Sequence, residues 1–195
     1  VPPSDRPPSI VLVRHGESTW NSKHLVQGHD DESVLTARGL EQARDVAATL
    51  ADGGFELIVS SDLTRARQTA AVLAEVLALE VVTSELLRER HYGERERRPT
   101  SELTVAVTGI DSDRVVDESA RPPGGESLRQ LRERATAFLE LARERWAGRR
   151  LLVVTHGGTI RALRAAHAGA AMQDLAWEPV TNCSVWTLEP PRDEI

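Results

Sequence analysis

Short apolar runs alternate with amphipathic stretches along most of this chain. Ile10–Val13, Leu57–Ser60 and Leu151–Thr155 are almost continuously apolar, the pattern of strands covered on both faces. Val81–Thr83 and Ser184–Leu188 read as two further strands. The stretches between carry helical spacing. Thr36 is placed to cap a helix with Leu40, Ala43, Ala47 and Leu50 on one face. Ser61 or Asp62 would cap a second, with Ala66, Thr69, Ala70 and Leu73 inward. A third, from about Glu126 to Trp146, carries Leu128, Leu131, Ala135, Phe138 and Ala142 at helical spacing; a fourth runs from Thr159 to about His167, after Gly157-Gly158. Strands alternating with helices predict an α/β fold, a three-layer α/β/α sandwich with a mostly parallel central sheet.

Two segments break the alternation. Residues 16–35 form a polar loop after the first strand. Residues 90–125 are charged, rich in glycine and proline near their end, and only weakly periodic, so they read as a lid-like insertion. The expected organisation is a proline-rich flexible tail over 1–9, one domain over 10–189 and a second tail over 190–195.

Bulk properties narrow the function. A chain of 195 residues is long enough for one domain with a real core. The net charge of −6 argues against general binding to nucleic acid or an anionic membrane, so any anion must be met by a local basic pocket. No apolar run approaches bilayer length. The single cysteine, Cys183, reads as a buried or semi-buried structural thiol and fits a reducing, cytoplasmic setting. The four tryptophans read as packing residues.

The chemistry sits where strands end. The first strand exits into Arg14-His15-Gly16-Glu17, the second into Ser60-Ser61-Asp62-Leu63-Thr64-Arg65, and the strand at 151–155 into His156-Gly157-Gly158. In a parallel sheet these exits share one edge, which gathers two histidines and two arginines at one crevice. Guanidinium groups grip phosphate oxygens through paired donors, an imidazole can hold a phosphoryl group covalently, and a carboxylic acid can protonate the leaving oxygen and then activate the acceptor. The set suits phosphoryl transfer. No His or Cys cluster has metal-ligand spacing, in passive agreement with an expectation of neither metal nor other cofactor.

With Gln27-Gly28, Leu35-Thr36, Gly39, Gln42-Ala43, Gln68-Thr69-Ala70 and Pro123-Gly124-Gly125-Glu126-Ser127 added, nearly the whole chain resembles the histidine phosphatase superfamily, which contains cofactor-dependent phosphoglycerate mutases and many phosphatases. The resemblance implies a phosphoglycerate mutase-like fold. It makes His15 the nucleophile, Arg14, Arg65 and His156 the phosphoryl-binding groups, and Glu89 the general acid and base. It adds Asn21, Gln27, Gly28, Arg90, Tyr92 and Gly157 as phosphate or substrate contacts. The implied partner is a small phosphorylated metabolite; a homodimer is left open. His24, His29, His91 and His167 read as ordinary loop or helix histidines, although His24 and His29 lie where they could touch substrate.

Phosphatase and mutase share this machinery. Glu89-Arg90-His91-Tyr92-Gly93 resembles the mutase stretch, whereas the short span to Pro122, without a long basic insertion, and the Pro123–Ser127 element resemble the phosphatase branch. The expectation is a phosphatase of a polar, anionic small molecule, with a mutase and a non-catalytic phosphate-binding module as alternatives. One departure stands out: Gly93-Glu94-Arg95-Glu96-Arg97 puts arginine where many of the family's phosphatases have glycine.

Overall fold

A computed structural model of the chain describes residues 6–176 and 178–188. The expected second tail, Trp177 and the first five residues lie outside them. The main sheet contains β1 (Ser9–Arg14), β2 (Leu57–Ser61), β3 (Val81–Ser84), β6 (Arg150–Thr155) and β7 (Val185–Leu188), with a separate two-stranded ribbon of β4 (Ile110–Asp111) and β5 (Arg114–Val115). The helices are α1 (Thr19–Ser22), α2 (Ala37–Thr49), α3 (Thr64–Leu77), α4 (Val105–Thr108), α5 (Leu128–Trp146) and α6 (Gly157–His167).

The strand order is β3-β2-β6-β1-β7, parallel except for β7, which runs antiparallel to β1. The three continuously apolar runs are therefore the three central strands. Their residues alternate between two cores. Ile10, Leu12, Leu57, Val59, Leu151 and Val153 face α5 and α6; Val11, Val13, Ile58, Leu152 and Val154 face α2 and α3. The outer strands have the weaker apolar pattern because each has one free edge, and Val81, Val82 and Val185 stay about 40% exposed.

The expected helix faces are buried with small shifts. α5 buries Leu128, Leu131, Ala135, Phe138 and Ala142 and is capped by Ser127, which accepts from the Gln130 N–H. In α2, capped by Thr36, the buried positions are Gly39, Ala43, Val46 and Ala47, while Leu40 and Leu50 are half-buried. The cap of α3 is a correction. Neither Ser61 nor Asp62 closes it; the remote Asp31 carboxylate accepts from the Thr64 N–H and hydroxyl. This ties the 16–35 loop to the start of α3. The expected first tail is also shorter, since Ser9 already pairs with Arg150 in the sheet and the Arg6 carbonyl accepts the Gly148 N–H.

The weakly periodic 90–125 segment is built around one side chain. Arg90 is 1% exposed, and its guanidinium donates to the carbonyls of Glu126 (2.8 Å), Thr108 (2.7 Å) and Ala120 (2.9 Å). Short 3-10 turns, α4 and the β4–β5 ribbon fold against this hub, which explains why no helical or strand period announces them. Arg97 occupies the position where glycine was expected, and its φ is +70°. The backbone keeps the left-handed shape that favours glycine, and the arginine side chain points outward to Asp30 (2.6 Å) and Glu32 (2.8 Å). The departure therefore strains the backbone and leaves the cavity wall unchanged. Arg97→Gly should melt above Arg97→Ala in a thermal scan, because alanine loses the ion pairs and keeps the strained φ; the reverse order would contradict a left-handed backbone at 97.

Candidate active site

The ends of β1, β2 and β6 lie side by side, and the chain turns polar at each. His15 follows β1 directly. Its N–H donates to the Thr155 carbonyl (2.9 Å), and its own carbonyl accepts from Asn182 Nδ2 (3.0 Å). The motif residues around it are anchors. Thr69 Oγ1 accepts the Gly16 N–H (3.1 Å), Gln42 accepts the Glu17 N–H (2.8 Å), Thr36 Oγ1 donates to the Glu17 carboxylate (2.8 Å), and Gln68 accepts the Leu35 N–H (2.7 Å). Each short side chain fixes a backbone group of the loop that holds the imidazole.

The imidazole is 2% exposed, and its Nδ1 lies 2.7 Å from the Gly16 carbonyl. A carbonyl only accepts, so the proton is assigned to Nδ1 and Nε2 carries the lone pair. Burial, then the charges of Arg65 and Arg14, hold this imidazole well below its usual 6.5. It is therefore neutral, and Nε2 can act as a nucleophile at ordinary pH.

His156 is fully buried at the N-cap of α6, its ring 5.1 Å from that of His15. Its Nε2 is 2.9 Å from Ser61 Oγ. That hydroxyl oxygen also accepts the Leu63 N–H (3.3 Å); with the hydroxyl proton given to His156 Nε2, the imidazole proton is assigned to Nδ1. Burial, then Arg65, keeps His156 neutral as well.

Arg14 extends from the end of β1 and donates to the Val180 carbonyl (2.6 Å). Arg65, in the first turn of α3, is 0% exposed and donates to the carbonyls of Gly28 (2.8 Å) and Asp30 (3.0 Å). Burial lowers Arg65 to about 10, which still leaves it charged at neutral pH. The decisive feature is what remains unpaired. Arg14 Nε, Arg65 Nε and His156 Nδ1 are buried and without a hydrogen-bond partner among the described residues. A buried donor without a partner costs about 1–3 kcal/mol. All three belong to residues close to His15, which feels the charges of Arg65 and Arg14 and meets His156 ring to ring, so the set is a socket that an oxyanion with several acceptor oxygens could complete; of these residues Arg14 alone lines the cavity that Glu89 borders.

Glu89 is close enough to Arg14 and Arg65 to act on both electrostatically. Its carboxylate accepts the N–H groups of Arg90 (2.9 Å) and Gly158 (3.1 Å). It lines a cavity of about 290 Å³ together with Arg14, Gly157, Gly158 and Arg161. Tyr92 is on the same wall, and burial raises its phenol above the usual 10. Ile110, Leu128, Met172 and Val180 form an apolar wall.

The remaining expected contacts divide. Gly157, at the first position of α6, lines the cavity. Asn21 sits behind His15, its Oδ1 accepting from the Ser18 N–H (3.1 Å) and Asn182 Nδ2 (3.3 Å). Gln27 instead accepts from Ser18 Oγ (2.8 Å), and Gly28 serves through its carbonyl to Arg65. Arg90 borders the cavity, and its guanidinium also donates to backbone carbonyls, so besides standing where a substrate contact was expected it holds the 90–125 segment together. His29 points to the Glu89 carbonyl (2.7 Å). Sequence reasoning missed Arg161, one helical turn beyond Gly157, and Arg134 in α5, treated below. Arg161 sits one turn after a strand-exit histidine, which was the available signal.

Such a socket, at the carboxyl edge of a mostly parallel sheet in an α/β protein, suits a phosphate-like anion beside a neutral imidazole. Residues 10–195 match the histidine phosphatase superfamily (branch 1), and the chain belongs to that family. It is 36% identical over 179 residues to the probable phosphoglycerate mutase GpmB of Shigella boydii serotype 18, covering 90% of this chain and 82% of that protein. Its fold is phosphoglycerate mutase-like. The mycobacterial glucosyl-3-phosphoglycerate phosphatase superposes with a TM-score of 0.76 at 30% identity, over 91% of this chain and 88% of that one. A phosphoserine phosphatase variant from Entamoeba histolytica, bound to phosphoserine, gives 0.78 at 26% identity, over 92% and 89%. No helix among the described residues is long and apolar enough to cross a membrane.

The buried histidines have a stability consequence. Their folded pKa values lie below the unfolded 6.5, so the unfolded chain binds more protons in the window between. Stability is then present above 6.5 and falls as pH drops below it, by about 1.4 kcal/mol per pH unit for each histidine. His15→Gln should remove one such contribution from the slope of unfolding free energy between pH 6 and 5, read by denaturant titration. An unchanged slope would contradict a buried neutral His15.

Proposed function

We propose that this chain is a metal-independent phosphomonoesterase that passes the phosphoryl group through His15. The observation that carries this reading is the socket of unpaired donors, Arg14 Nε, Arg65 Nε and His156 Nδ1, around an imidazole whose tautomer leaves Nε2 bare. Phosphoryl oxygens fill the socket. Nε2 attacks phosphorus while the ester P–O bond breaks, and the Glu89 carboxyl gives its proton to the departing alkoxide. Glu89, now a carboxylate, takes a proton from water as the water oxygen attacks the phosphohistidine. The P–N bond breaks, inorganic phosphate leaves, and both side chains return to their starting states. The cationic donors hold the charge on the transferring group throughout.

The substrate in this reading is a small phosphorylated metabolite. A cavity of about 290 Å³ is at the small end of ligand pockets and suits a metabolite better than a phosphoprotein loop. Its two walls differ: Arg161 and Tyr92 offer polar contacts to the leaving group, and Ile110, Leu128, Met172 and Val180 favour a carbon-rich face. The charges of residues 93–122 do not supply the polarity expected from the sequence, since that span contributes Ile110 alone to the wall. Two similar structures belong to phosphatases named for glucosyl-3-phosphoglycerate and phosphoserine, which agrees with this size class. A cytoplasmic setting, suggested by the lone cysteine, belongs to the same reading.

The mutase alternative has behind it the name shared by several relatives, probable phosphoglycerate mutase GpmB of Shigella boydii and Escherichia coli strains, at 36% identity. A mutase must hold a bisphosphorylated intermediate away from water, which calls for a second cationic cluster. Arg97, the arginine that the 93–122 span directs to Asp30 and Glu32, turns away from the cavity, and none of that span's arginines lines it. The cations on the wall, Arg14, Arg90 and Arg161, come from other segments, and water is the acceptor in this reading. Release of inorganic phosphate from a panel of small phosphomonoesters, with EDTA present, tests the proposal. Wild type should release phosphate, and His15→Ala should lose at least about 10³-fold in kcat/KM. Activity that survives His15→Ala, or requires added metal, would overturn the proposal, and faster isomerisation of 3-phosphoglycerate than phosphate release would make the chain a mutase.

A further inference from the structure

Glu89 belongs to no strand or helix. It follows a 3-10 turn at Glu85–Leu87, yet the carboxyl of an acid catalyst must stand within hydrogen-bond reach of one oxygen. The backbone that carries it is fixed by side chains. Four consecutive carbonyls each accept from one or more. Leu86 takes Arg134 Nη1 (2.9 Å), and Leu87 takes Thr155 Oγ1 (2.7 Å). Arg88 takes Arg134 Nη1 (2.7 Å) and Thr159 Oγ1 (2.7 Å), and Glu89 takes Arg134 Nη2 (3.0 Å) and His29 Nε2 (2.7 Å).

Arg134 is the common member. It projects from α5, and its guanidinium is oriented by Glu126, which accepts from Nε (3.0 Å) and Nη2 (2.8 Å). A bidentate carboxylate fixes the guanidinium plane, and the opposite edge of that plane meets three carbonyls of the acid segment. The helix thereby transmits its own rigidity to a segment that has none. His29 reaches the same Glu89 carbonyl from the loop after β1, so two elements of different origin agree on its position. Arg134 is absent from the cavity wall.

We propose that Arg134, assisted by His29, is the positioning residue that aims the Glu89 carboxyl at the leaving-group oxygen. This rests on the reading of Glu89 as acid and base. A misplacement of about 1 Å can cost about 10²-fold in rate, and positioned acid–base catalysis itself supplies about 10²- to 10⁴-fold. The loss must therefore depend on how much the leaving group needs a proton.

The test compares kcat/KM for an alkyl phosphate, whose alkoxide needs the proton, with 2,4-dinitrophenyl phosphate, whose phenolate does not. Arg134→Lys, Arg134→Met, His29→Phe and Glu89→Gln are measured beside wild type, with far-UV circular dichroism checking the fold. Glu89→Gln should lose at least about 10²-fold on the alkyl ester and much less on the dinitrophenyl ester. Arg134→Met should show the same selectivity, about tenfold or more against less than threefold, with partial rescue in Arg134→Lys. Equal losses on both esters in a folded variant would assign Arg134 a structural role only, and no loss on either would remove it from the account; both outcomes overturn the proposal. If the Arg134 variants fail to fold, the same ratio in His29→Phe decides. A Glu89→Gln variant without ester selectivity would instead refute the acid assignment.

Discussion

Three buried donors beside His15, with no partner among the described residues, set the terms for the rest of this structure. Arg14 Nε, Arg65 Nε and His156 Nδ1 have been taken out of water, and the fold returns nothing to them. Each costs about 1–3 kcal/mol, a sizeable share of the 5–15 kcal/mol that holds a typical domain together. The surrounding sheet and helices must over-determine these positions for the donors to stay put. They do so through ordinary means: parallel pairing of β1 with β6 and of β6 with β2, two apolar cores, and short hydrogen bonds from Thr69, Gln42, Thr36 and Gln68 that leave the loop after β1 little freedom. An anion of matching shape then gains from groups that are already oriented and desolvated, and no reorganisation is needed at the moment of reaction.

The same burial sets the protonation states. His15 and His156 stay neutral because the site is dry and cationic, and a neutral imidazole with its proton on Nδ1 is what nucleophilic attack through Nε2 requires. Arg65 is lowered to about 10 by the same burial and remains a cation, since guanidinium starts so high. In the proposed reaction, anion binding, tautomer choice and the neutrality of the nucleophile are thus three consequences of one arrangement, the placement of two arginines and two histidines beneath the ends of three central strands.

Much of this was legible in the sequence because it is local. Apolar runs of four to six residues mark buried parallel strands, helical spacing marks the covering layers, and a strand exit that turns suddenly polar marks the crevice. His15, His156, Arg14 and Arg65 were readable in that way. What escaped depends on contacts between remote segments. Asp31 caps α3 from a different loop, so no N-cap residue beside the helix reveals it. Arg90 looked like a substrate cation, yet three backbone carbonyls from 108 to 126 also accept from its guanidinium, and carbonyl acceptors leave no trace in a sequence. Arg134 carries no signal of its own in the sequence for the same reason. Arg97 broke a glycine pattern without breaking the backbone shape behind it.

In the proposed reaction the buried socket delivers a phosphoryl group to His15 Nε2. The most direct measurement mixes the protein rapidly with a phosphomonoester that it hydrolyses, quenches in base at millisecond intervals, and locates bound phosphate by mass spectrometry. The account predicts a base-stable, acid-labile phosphate on His15 that rises before inorganic phosphate appears and decays at the rate of turnover. Hydrolysis with no phosphate on His15 at any time, or with phosphate on a different residue, would contradict it.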